Sequence, residues 1–126
     1  MSPGSLAELE RVVSARLEAA LAELRRRRAG ADAIRARIAA LDRSVARQRA
    51  EAAGALDMLL AGPVLDRWDA WSERRRADLN AELARAMVQA EQARLRAKQA
   101  FGQAEALKLL RQDAADEARR ALRRKG

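Results

Sequence analysis

A heptad register threads residues 6 to 59 without a skip, and it constrains this chain more than any other feature. Leu6, Val13, Ala20, Arg27, Ile34, Leu41, Gln48 and Ala55 stand at d positions. Glu10, Leu17, Leu24, Ala31, Ile38, Val45, Ala52 and Leu59 stand at a. All but Glu10, Arg27 and Gln48 are apolar. A stripe at this spacing stays on one side of an α-helix and has to be covered by another helix. A capping-box spacing, Ser5 followed by Glu8, opens the run. The interval Ala61-Gly62-Pro63 near the middle of the 126 residues then reads as a helix stop and restart.

Beyond it the register resumes in smaller residues. Positions a are Arg76, Leu83, Ala90, Ala97, Ala104, Arg111 and Ala118. Positions d are Ser72, Leu79, Ala86, Ala93, Ala100, Leu107, Ala114 and Ala121. A Leu/Ile/Val seam facing an Ala seam allows close approach of two backbones. The sequence therefore predicts an all-α fold: one domain over 1–126, a long antiparallel two-helix coiled coil or helical hairpin. Helix 1 is expected over about 6–60, the turn at 61–63 and helix 2 over about 64–124. Pairing about that turn would set Ile38 near Met87 and Leu24 near Phe101. Each arm would run roughly 80–90 Å at about 1.5 Å per residue. A monomeric hairpin and a two-chain, four-helix bundle are both compatible with these seams.

Composition agrees with a thin seam rather than a globular core. The chain holds 32 Ala and 23 Arg against 3 Lys, and its aromatics are Trp68, Trp71 and Phe101. It has neither Cys nor His. That removes disulfides, thiol chemistry, imidazole acid–base catalysis and the common zinc sites. No glycine-rich phosphate loop and no nucleophile beside a base is present, and carboxylates on a two-helix rod have no pocket to tune them. The expectation is a non-enzyme without cofactor or metal. No apolar run reaches the ~20 residues a membrane span needs. The first residues lack the basic-then-apolar pattern of a secretory leader, so a cytoplasmic protein without membrane insertion is expected.

Three stretches are candidates for partner binding. Arg119, Arg120, Arg123, Arg124 and Lys125 form a basic run at the end of helix 2. Such a run completes a helix dipole as a solvated end, or docks an acidic or phosphate-bearing partner. The second stretch, Arg25 to Arg28, makes a collar around helix 1, ordinarily solvated. The third is the apolar group around the expected turn: Leu56, Met58, Leu59, Leu60, Val64, Leu65, Trp68 and Trp71. It is either a small core where the helices splay or a partner patch. The formal charge of +8 also admits nucleic acid as a partner, although no recognition module and no aromatic platform accompany the basic end.

The segment Arg67-Trp68-Asp69-Ala70-Trp71, and the basic, Leu-containing segment from Arg94 through Ala106-Leu107-Lys108-Leu109-Leu110-Arg111, give the chain a family likeness. With its two-arm, Arg/Ala/Glu-rich pattern, the chain resembles the FliJ/YscO stalk proteins of flagellar and virulence type III export. After the Arg-Trp segment, flagellar members continue with apolar or aromatic residues on one face. Here Ser72-Glu73-Arg74-Arg75-Arg76 intervenes, so no export-gate contact is carried over. The resemblance implies a stalk whose two-terminus end enters the hexameric export ATPase and promotes its activity, with the rod linking that ATPase to the export gate. A basic nucleic-acid-binding helical protein and a generic coiled-coil scaffold are the alternatives.

Overall fold

The computed structural model describes residues 3–54 and 58–126; for residues 3 and 58–61 only the backbone is described. Two helices account for nearly all of it: α1, Pro3–Ala53, and α2, Met58–Lys125. They pack against each other as a helical hairpin, with no strand among the described residues. The contacts divide into two units, one of residues 1–26 with 91–126 and one of residues 27–90.

In the first unit the mixed seam forms as the register predicts. Leu24 lies in one cluster with Ala93 and Ala97, and Ala20 packs against it. Val13, Ala100 and Leu107 are also buried. An aliphatic knob fills the space that small residues leave, so burial is achieved with little apolar bulk. In the second unit Ala31 and Leu79 are buried, and Ile34, Ile38, Leu41 and Val45 are half-buried. Ser72 occupies a seam position and is buried too. Its hydroxyl donates to the Trp68 carbonyl one turn back at 2.8 Å, so the polar group is satisfied within its own helix.

Along α1, every described position of the predicted register is buried or half-buried except Arg27 and Gln48. These are two of its three polar members. The third, Glu10, is half-buried and reaches across to Arg111. The heptad pattern thus chose the buried face of α1 correctly.

The position of the break differs from expectation. The helices are interrupted between Ala53 and Met58, not at 61–63. Gly54 ends the first helix, its N–H donating to the Ala50 carbonyl at 3.2 Å. Gly62 and Pro63 lie inside α2, and no glycine among the described residues adopts a positive φ. Proline's fixed φ is helical, and this close to a helix start its missing N–H leaves only the Leu59 carbonyl without a partner. The Gly-Pro pair is therefore tolerated there. Leu56 falls outside the described residues, as do the side chains of Met58, Leu59 and Leu60.

Moving the break changes the pairing. Leu24 meets Ala93 and Ala97, not Phe101. Met87 and Phe101 are exposed. An earlier break sets each residue of α1 against an earlier residue of α2. It also leaves arms of unequal length, 51 and 68 residues.

Gly30 and Gly102 lie mid-helix, and a Cβ built at either position meets nothing within 4 Å. Replacing either with Ala removes backbone entropy from the unfolded chain without a clash. Each is expected to stabilise by about 0.5–1 kcal/mol. Chemical denaturation of Gly30→Ala and Gly102→Ala checks this, and a loss of stability at either would show a close approach at that glycine.

Candidate interaction surfaces

The charged members of the two seams turn outward and tie the helices together. Within the unit of residues 27–90, Arg27 Nη1 donates to Gln89 Oε1 at 3.0 Å. Arg76 grips Asp42 with two bonds, Nε to Oδ1 at 2.9 Å and Nη2 to Oδ2 at 3.0 Å. In the other unit Arg111 Nη1 donates to Glu10 Oε2 at 3.2 Å. A fork-to-fork pair such as Arg76–Asp42 has one geometry, so it specifies register more than it adds stability.

The hydrogen bond from Arg76 holds the Asp42 carboxyl below its ordinary value, with the guanidinium charge acting in the same direction against slight desolvation. The folded pKa is depressed, so the contribution is present above the unfolded carboxylate value and is lost as pH falls through the folded one. Arg76→Gln is therefore expected to flatten the stability profile on the acid side of about pH 4, read by denaturation midpoints across that range. An unchanged profile would show the pair to be uncoupled from folding.

The two tryptophans divide. Trp68 is half-buried, and Trp71 faces out at 51% exposure beside Val64 at 67%. Leu65 is half-buried on the seam side. The apolar group near the break is thus partly core and partly surface. Nearby, a groove of about 190 Å³ is lined by residues including Leu41, Val45, Arg49 and Asp69. Asp69 Oδ1 is shielded there without a hydrogen-bond donor, and Arg49 stands 3.8 Å away.

The basic run belongs to the other unit. From Lys108 onward every residue of α2 is exposed. Ala114, Ala118 and Ala121, expected on the seam, are uncovered because α2 is longer than α1. Within this end Arg119 pairs with Asp116, while Arg120 and Arg124 share Glu117 at 3.0 Å. Arg123 and Lys125 have no ionic partner among the described residues. Three basic side chains in the last turn also suit the negative end of the helix dipole. Of the collar, Arg26 pairs with Glu23 along its own helix, and Arg27 is engaged as described.

The structure thus presents two separate sets of predicted residues: Trp68 and Trp71 in one unit, and Arg119, Arg120, Arg123, Arg124 and Lys125 in the other. The uncovered length of α2 was missed from sequence because the Gly-Pro turn made the arms equal. The outward tryptophan could be read from its place beside the seam register.

Among the described residues no group of His, Cys, Asp and Glu could hold a metal ion. None of the described helices is long and apolar enough to cross a membrane. Comparison with protein-family models, curated proteins and solved structures finds no match.

Proposed function

We propose that the chain is a non-enzymatic interaction protein, a cytoplasmic helical stalk of a flagellar-type type III export apparatus. In this reading it binds and promotes the hexameric export ATPase and links it to the export gate. The observation that carries it is the exposed basic end of α2, where Arg123 and Lys125 engage no acid among the described residues. A partner that buries this end recovers electrostatic energy that the free chain leaves unused. The local sequence likeness after the break supplies the choice of apparatus. Addition of the purified chain should raise the hydrolysis rate of the cognate export ATPase. No binding together with no change in rate would remove the assignment.

The +8 charge supports a second reading, a nucleic-acid-binding helical protein. It requires affinity for DNA or RNA that falls steeply with salt. Absence of binding at low salt would dismiss it and leave a scaffold.

A further inference from the structure

We infer that the uncovered end of α2 is a docking face for an acidic amphipathic helix. This deepens the interaction-protein reading of the same end, and rests on it, but does not depend on the export assignment.

At about 100° per residue Leu110, Ala114, Ala118, Ala121 and Leu122 fall within about a third of the helix circumference. All are exposed, Leu110 at 56% and Leu122 at 70%. Arg119, Arg120 and Arg123 stand on the remaining face. Arg111, which falls in the apolar sector, is held aside by Glu10. The segment is therefore amphipathic along a length that α1 does not cover.

Two observations specify the occupant. The first is the packing that α2 already makes: in the same unit its alanines at seam spacing receive Leu24. The alanines at 114, 118 and 121 continue that spacing, between two exposed leucines, and accept a partner's aliphatic knobs in the same way. The second is charge. Residues 108–126 hold seven basic against three acidic side chains. Of those acids, Asp116 and Glu117 pair with only part of the excess. A second copy of this end would set like charge against like charge. A helix with Leu or Ile on its seam and Glu on its flanks satisfies both demands. Two leucines among alanines also make too shallow a face to favour insertion into a bilayer.

The test uses the full chain and a fluorescent peptide of three heptads with Leu at a and d and Glu at e and g. A scrambled peptide of the same composition and a single-stranded oligonucleotide serve as comparisons. The heptad peptide should bind, the scrambled one markedly less. Leu110→Gln and Leu122→Gln, which leave charge unchanged, should each weaken binding about tenfold or more. Arg123→Gln with Lys125→Gln should reduce the salt dependence. Both leucines are exposed, and circular dichroism verifies that helicity is retained.

Absence of peptide binding overturns the proposal. So does equal binding of the scrambled peptide, or equal binding by the leucine variants. Oligonucleotide binding that displaces the peptide and ignores the leucine variants would assign the face to nucleic acid instead. Stimulation of the export ATPase without peptide binding would preserve the stalk and overturn this inference; the converse would do the reverse.

Discussion

Replacing Leu79 with Ala should cost about 2–3 kcal/mol and move the unfolding transition well down in denaturant. Leu79 is the largest fully buried side chain among the described residues, 2% exposed. It sits on α2 in the unit of residues 27–90, three positions beyond Arg76, whose bidentate bond to Asp42 sets the level of the two helices. That level brings it close to Ile38, one of the half-buried aliphatics of α1. Truncation removes the transfer free energy of the lost methyl groups and leaves a void. A seam between two helices can close partly around a void, which places the expected cost toward the low end for Leu→Ala. The same loss is nonetheless a large share of the total stability of a small domain. Leu95→Ala is the control. Leu95 is on the same helix but half exposed, so its loss should change stability by no more than about 0.5 kcal/mol. Chemical denaturation followed by far-UV circular dichroism measures both. Equal effects at the two positions would mean that the seam does not supply the cooperative part of the fold.

Leu79 also shows which kind of information the sequence carried well. Its d position was legible from spacing alone, as were Val13, Leu24, Ala31, Ala93 and Ala97, because burial on a two-helix seam follows a strict angular repeat. The face of a helix is a local property, fixed by residues a few positions apart. The pairing of Leu24 with Ala93 and Ala97 was not legible, because it depends on where the chain breaks, and a break in an alanine-rich helix is a contest between small energies. Gly54 and Gly62 are both weak points. Pro63 marks Gly62 as the stronger stop in a sequence pattern, yet proline near a helix start forfeits a single hydrogen bond. The same misplacement concealed the uncovered end of α2. The charges of Arg119 to Lys125 were plain in the sequence; their freedom from α1 was not. Arg27 and Arg76 read as defects in the seam. Their long side chains instead leave it and bond across it, an outcome that spacing cannot reveal because it needs Gln89 and Asp42 at the matching level.

Pro63→Ala discriminates most sharply between the two positions of the break. With α2 beginning at Met58, Pro63 stands inside the helix and its side chain is exposed. Alanine there restores a donor to the Leu59 carbonyl and removes the ring from the path of that carbonyl, a gain of up to about 3 kcal/mol in a helix interior. The unfolded chain gains freedom at the same time, which takes back about 0.4–1 kcal/mol. The position near the helix start reduces the first term further. The net expectation is stabilisation by about 1–2 kcal/mol, with an increase in helical signal. Gly62→Ala should add to it, since a Cβ at Gly62 meets nothing within 4 Å. Had the chain turned at 61–63, the opposite sign would follow: Pro63 would pre-set the turn, and its loss would destabilise. Thermal and chemical denaturation of Pro63→Ala decide between the two. The sign also bears on function. A break at 61–63 makes the arms equal and draws the end of α2 alongside α1. A break before Met58 leaves Leu110, Leu122 and the basic run uncovered for a partner.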